Sequence, residues 1–360
     1  MKQTVYNFGF FLLFFFLLLL AACSKGRLDD TWILSAEVIQ EGEGQNDIPA
    51  INEPRFAMAN TIDFLSDSSL VVGLNVDGVL RAYPLDILHW HEVVNDEIND
   101  NLFAITYSTL TGSGVALHRR IDNNFSFKFQ VSGLLFNNNL IVIDDFYKSH
   151  WVQFQRLGVN GVQANEILME FPVIEMNWKT WVLLFPNSEV LTTRTGFNRP
   201  YQTYHYGDYQ TNNNNFLFGD TTFFNLTNPL DFFSTSISFK ERVLGITVGE
   251  DTKVYRFSTF PKKGIGMIED EFRGVPVLVI GSQEHDFLVA YRRTRADGSI
   301  ASFEVADLDK LLFKDDRGLV FDVFGKTNTD NSDANLTTLR SNIGYWFAWL
   351  AFYSNVEIYE

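Results

Sequence analysis

The sequence predicts a mainly β protein with a few short helices, a β-rich α+β fold made of two internally repeated units. Three observations carry that expectation. Short runs alternating apolar and polar residues recur along the chain, separated by Gly- and Asn-containing turns. Blocks of the first part return in the same order in the second. Helical spacing is confined to short stretches, among them Met176–Phe185, with Trp178 and Trp181 on one face.

In chain order, Met1–Ala22 has Lys2 as a short positive region and a nearly unbroken apolar run from Phe8 to Leu20. This is the pattern of a signal peptide, short of the roughly 20 apolar residues that a comfortable bilayer span needs. Leu20-Ala21-Ala22-Cys23 then resembles the bacterial lipobox, in which the cysteine thiol receives the lipid. Cys23 is the only cysteine of the chain and stands where that lipid attaches. The expectation is a palmitate-bearing lipoprotein of the cell envelope, tethered to the membrane by its acyl chains. Ser24, rather than Asp, after the cysteine favours the outer membrane where the cell is Gram-negative. Residues 23–47, with EGEGQND, are expected to form a flexible tether.

The folded part is expected from Ile48, as a first unit over 48–228 and a second over 229–360. Leu70–Tyr83 alternates around Asp77-Gly78, a hairpin signature. Leu85–His91 has the length of a short helix. Asn101–Tyr107, Val115–His118, Phe125–Val131 and Leu140–Ile143 read as strands, with tight turns at Thr111–Gly114 and Asn137–Asn139. Gly196–Gly219 is rich in Tyr and Asn, and reads either as an ordered functional loop or as a connector between the units.

The repeat is visible in three blocks. Val71–Leu85 aligns with Val243–Phe257, Ile105–Arg120 with Val279–Thr294, and Trp178–Val190 with Trp346–Ile358. The tryptophan pairs recur whatever chemistry lies beside them, so they are expected in the core.

Composition bounds the function. The chain has 360 residues, 46% hydrophobic and 20% charged, which suits a folded body. Its formal charge of −16 disfavours nucleic acid and anionic membrane surfaces as partners, because like charge repels. One cysteine excludes an intramolecular disulfide, a CxxC zinc site and a cysteine-ligated cluster.

The order IPA-x3-PRF, RAYPL-x-IL-x-WHEVVND, a Gly-rich turn, VSGLL-x-N-x-N-L and TGF-x-R-x-Y resembles the bacterial family catalogued as domain of unknown function 3179. The resemblance spans nearly all of Ile48–Glu360. It implies a Cys-Pro-Leu-Cys-Gly-Thr-Gly turn where this chain reads Ser108-Thr109-Leu110-Thr111-Gly112-Ser113-Gly114. Both thiols are replaced by hydroxyls, which are redox-inert and poor metal ligands beside thiolates.

The densest polar cluster is His89-Trp90-His91-Glu92 with Asn95-Asp96. On a strand His89 and His91 would share a face; on a helix His91 and Asn95 would. The candidate catalytic residues are His91, Glu92 and Ser108. The candidate pocket adds His89, Asn95, Asp96, Thr111 and Gly112. The opposing expectation is a buried polar network that only satisfies turn backbone. His150, His205 and His285 are read as structural.

Two functions follow. The first is a non-catalytic envelope lipoprotein that binds a protein or glycan partner, or scaffolds, through the Tyr/Asn-rich loop and the turns at one end of the paired units, with no cofactor. The alternative is an enzyme or metal-dependent redox protein whose pocket joins the WHE cluster to the Ser108–Gly114 turn. Loss of the thiol pair favours the first.

Overall fold

A computed structural model of the chain describes residues 31–42, 44, 47–121, 125–213, 215, 237–327, 329 and 334–360. The segment 1–22, Cys23 and the unit boundary at 228/229 lie outside the described residues. Strand dominates, at 44% against 10% helix.

The first half runs through β1 (Ile39–Glu41), β2 (Phe56–Met58), β3 (Leu70–Val76), β4 (Val79–Pro84) and helix α1 (Leu85–His91). A meander of β5 (Val93–Ile98), β6 (Asn101–Ser108) and β7 (Ser113–His118) follows. Then come β8 (Phe129–Phe136), β9 (Asn139–Asp144), β10 (His150–Val152), β11 (Leu157–Asn160) and β12 (Glu170–Phe171). The half closes with β13 (Val173–Asn177), helix α2 (Trp178–Leu184) and β14 (Glu189–Leu191). The second half opens on β15 (Arg242–Val248) and β16 (Asp251–Arg256), followed by a meander of β17 (Gly266–Phe272), β18 (Val275–Ser282) and β19 (Phe287–Arg292). It continues with β20 (Phe303–Asp307), β21 (Leu312–Asp315), β22 (Val320–Phe321), β23 (Ser341–Tyr345), helix α3 (Trp346–Phe352) and β24 (Val356–Ile358).

Two sheets share one plan, in the orders β13-β3-β4-β14-β2 and β23-β15-β16-β24. In each, a hairpin is flanked by one antiparallel strand and one parallel strand, and a seven-residue helix connects the two flanks. The first hairpin turns at Asp77 and Gly78, both with positive φ, which matches the twist of paired strands. The helices dock alike: Trp178 N–H donates to the Ser69 carbonyl at 2.7 Å, and Trp346 N–H to the Glu241 carbonyl at 2.9 Å. Their second tryptophans lie flat against the hairpins. A Cβ on Gly73 would stand 1.9 Å from the Trp181 ring, and one on Gly245 2.4 Å from the Trp349 ring, so only glycine admits the indole.

The apolar clusters interlock the halves. One face of each hairpin packs within its own half: Val72, Leu74 and Tyr83 against Phe103, Ile105 and Tyr107, and Leu244, Ile246 and Tyr255 against Val277 and Val279. The other face crosses over. Val71, Ala82 and Trp181 pack with Leu278, Ile280 and Phe287 of the second half, and Val243, Val254 and Trp349 pack with Leu110 and Phe154 of the first. Each half therefore completes the other's core.

The structure corrects three expectations. Residues 31–42 are not a free tether: β1 pairs antiparallel with β8, and Trp32, Leu34 and Val38 pack beside it. The apolar residues between the charges there suffice to dock an edge strand. The strand expected over Phe125–Val131 begins at Phe129 and extends to Phe136. His91 and Asn95 do not share a helical face, because Glu92 takes φ +54 and ends α1, leaving Asn95 on β5.

Candidate functional site

Pro84 precedes α1 with its φ of −62, Asp86 lies in the first turn, and Glu92 caps the end in the left-handed region. Residues two apart on a helix point about 200° apart. His89 and His91 accordingly diverge, rather than sharing a face as on a strand.

His91 is fully buried and held at both ring nitrogens. Nδ1 lies 2.7 Å from the Pro49 carbonyl, which can only accept, so Nδ1 carries the proton. Nε2 then accepts from the Tyr201 hydroxyl at 2.7 Å. That hydroxyl accepts in turn from Thr195 Oγ1 at 2.5 Å, and Thr195 Oγ1 accepts from Phe197 N–H at 3.2 Å. The result is a one-way chain of donors from the Tyr-rich loop through His91 to Pro49. Burial holds the His91 imidazole down to about 4, helped by the nearby Arg199 charge and opposed by the Pro49 bond.

His89 points the other way. Its Nδ1 meets Thr109 Oγ1 at 3.1 Å, and Gln210 Nε2 donates to its Nε2 at 3.4 Å. Its ring stands edge-on to Tyr107 and Tyr204, with centroids at 5.4 and 4.9 Å. Burial, with His205 nearby, holds it neutral down to about 3. The Tyr204 hydroxyl is buried and makes no hydrogen bond among the described residues.

Glu92 lines a cavity of about 270 Å³ with Tyr206, Leu110, Leu135 and Leu140. The Tyr206 hydroxyl donates to Glu92 Oε1 at 3.5 Å. Helix and turn therefore meet at His89 and Thr109, and Glu92 and Leu110 line one cavity.

The hydroxyl turn is otherwise committed to structure. Ser108 Oγ accepts from Leu140 N–H at 3.2 Å. Thr111 Oγ1 pairs with Ser113 Oγ at 2.9 Å and accepts from Asn139 Nδ2 at 2.9 Å. Asn139 Nδ2 and Ser113 Oγ both donate to Gln153 Oε1, at 2.8 and 3.1 Å. Gly112 has φ +59, and a Cβ there would stand 2.9 Å from the Tyr345 ring.

Asn95 and Asp96 alternate across β5 and leave the site. Asn95 exchanges two bonds with the Phe129 backbone and donates to Asn52 Oδ1 at 2.8 Å. Asp96 accepts from Arg81 Nη1 at 2.9 Å and from the Tyr83 hydroxyl at 2.5 Å. The second half has the same arrangement: the Tyr255 hydroxyl donates to Asp270 at 2.8 Å, and Lys253 pairs with Asp270 at 2.6 Å. A feature common to both halves is scaffold, and Asp96 belongs with it.

Tyr201, Tyr204, Tyr206, Tyr209 and Gln210 were not singled out from sequence. The signal was their density in the Gly196–Gly219 stretch, of which 196–213 and 215 are described. The loop packs on itself, with His205 4.1 Å from both Trp90 and Tyr206. The Tyr209 hydroxyl donates to the Leu110 carbonyl at 2.8 Å. Lys240, at the start of the second half, donates to the carbonyls of Tyr209, Asn212 and Asn215.

Among the described residues, no group of three or more His, Cys, Asp or Glu side chains is placed to hold a metal ion, and no helix is long and apolar enough to cross a membrane. Fold and site define a β-rich protein of two interlocked halves, with an aromatic loop latched onto a short histidine-bearing helix. Residues 45–356 match the model of the family described as protein of unknown function (DUF3179), and the chain belongs to that family. No curated protein and no solved structure matches it.

Proposed function

We propose that the protein is a lipid-anchored envelope protein that binds a protein or glycan partner without catalysis, through the Tyr/Asn-rich loop and the cavity beside Glu92. One observation carries this reading. The groups an enzyme would need are engaged with the protein itself: His91 with Pro49 and Tyr201, Ser108 with Leu140, and Thr111 with Ser113 and Asn139. His91 makes neither ring bond to Ser108, so the pair lacks the contact through which a base activates a nucleophile. Cys23 supplies the anchor in this reading, and the correspondence of the two halves stems from duplication.

Two measurements test it. Fatty-acid labelling of the full-length chain is expected to vanish in Cys23→Ala, together with its membrane fractionation; retained label would remove the anchor. A photo-crosslinker at Phe197, on the loop, is expected to capture a discrete envelope partner that one at Leu183, an exposed site on α2, does not. Equal capture at both positions would remove the loop as the binding element.

A further inference from the structure

A second site lies where the halves meet. A groove of about 320 Å³ runs between the segment Ile167–Val173 of the first half and Thr338–Ser341 of the second. Its size falls at the lower end of small-molecule sites, roughly 300–1,000 Å³. Its walls are largely apolar, with Val115, Phe171, Val289 and Leu339 inside. Ile167 and Met169, 59% and 69% exposed, form the rim.

The charged residues that line the groove are Arg340 and Glu170. Arg340 lines it and donates through Nη2 to the Gln155 carbonyl, while its Nε is buried without a hydrogen-bond partner among the described residues. Arg156, 1% exposed, stands behind Glu170. Its Nε donates to Glu170 Oε2 and its Nη1 to the Phe154 carbonyl, both at 2.6 Å, and its Nη2 is buried without a partner among the described residues. Burial and the neighbouring Arg156 charge both depress the Arg340 guanidinium, and Tyr353 and then Glu170 offset them in part. Arg156 thus takes the Glu170 carboxylate, and one buried nitrogen on each guanidinium, Arg340 Nε and Arg156 Nη2, has no acceptor among the described residues. Buried donors without acceptors mark a place where a bound group completes the set.

We propose that this groove binds a small amphipathic carboxylate, its head on Arg340 beside the Arg156–Glu170 pair and its hydrocarbon lying along Ile167, Met169, Phe171 and Leu339. A carboxylate matches the fork of a guanidinium and has lone pairs for the unspent Arg340 Nε–H. A neutral ligand of the same length would fill the walls and leave the charge imbalance. None of the residues of the histidine site lines the groove, so the inference stands apart from the proposed function.

The test is titration of the full-length chain in detergent with [1-13C]octanoate, referenced to empty micelles. The expected result is saturable binding of one octanoate per chain, with a shifted carboxylate resonance. Arg340→Gln should weaken it tenfold or more, and 1-octanol should bind at least tenfold more weakly than octanoate. Met169→Glu, at an exposed rim position that folding tolerates, should weaken it by a similar factor. Absence of saturable binding above that of micelles, equal affinity for octanol, or binding unchanged in both variants would overturn the proposal.

Discussion

In the first half, β4 runs into a seven-residue helix that ends on His89, Trp90, His91 and Glu92. In the second, the matching β16 runs into a three-residue turn, Phe257–Thr259, and the next meander begins without a histidine. Elsewhere the halves agree in detail. The Thr111 carbonyl in the β6–β7 turn accepts from Tyr345 N–H at 2.8 Å, and the His285 carbonyl in the β18–β19 turn accepts from Asn177 N–H at 3.1 Å. Arg119 reaches the Phe103, Phe127 and Asp96 carbonyls, and Arg293 reaches those of Val277, Ala301 and Asp270. What the halves share holds the fold. What the first half alone has, the end of α1 and the loop latched to it, is where the molecule is particular.

The largest expected effects test the shared scaffold. Trp181→Ala and Trp349→Ala each remove a fully buried indole and should cost about 3–5 kcal/mol in urea unfolding. Because each ring completes the other half's core, both should lower the stability of one cooperative transition. A variant that melts one half and leaves the other intact would break the comparison.

The pH dependence comes next. Both buried imidazoles are held below the ordinary value of about 6.5. Between pH 6.5 and 4 the unfolded chain binds protons on His89 and His91 that the native state refuses, so stability falls as pH falls. The slope is up to about 1.4 kcal/mol per pH unit for each histidine. Denaturant titrations at pH 7, 5.5 and 4.5 measure it, and His91→Gln should remove the His91 share and leave that of His89. A stability independent of pH over that range would contradict burial of neutral histidines.

Asp96→Asn and Asp270→Asn sharpen the comparison within matched networks. The first leaves the Arg81 guanidinium and the Tyr83 hydroxyl facing an amide and should cost about 2–4 kcal/mol; the second, less buried, should cost about half that. Asp96 as a ligand-binding group would instead lose binding with stability unchanged.

The smallest effect is local. Tyr201→Phe deprives His91 Nε2 of its donor and should cost about 1–3 kcal/mol. Amide exchange should quicken over 195–210 while β15–β24 stay protected. Uniform loosening would mean the loop is not a separate element.

Much of the fold was legible in the sequence because strands and tight turns are local signals. The Asp77-Gly78 hairpin, the Asn137–Asn139 turn and the Trp178 helix all stand where their residues put them. The β1 strand was overlooked because acidic and Gly residues around it masked Trp32, Leu34 and Val38. The site was read less well, since adjacency in sequence is not adjacency in space. The WHEVVND run is divided among four surroundings by helix rotation at 89 and 91 and by strand alternation at 95 and 96. The bond between His91 and Tyr201 spans 110 residues and depends on the closed fold, which no local pattern encodes.

The most direct test is the state of the His91 ring in the full-length chain, read from its 15N resonances with selectively labelled histidine. If His91 is a structural link, Nδ1 stays protonated and Nε2 bare from pH 8 to 5, unmoved by stoichiometric Zn²⁺. A midpoint near 6.5, or a zinc-induced shift of Nε2, would make His91 an acid–base or metal-binding group and contradict the non-catalytic reading.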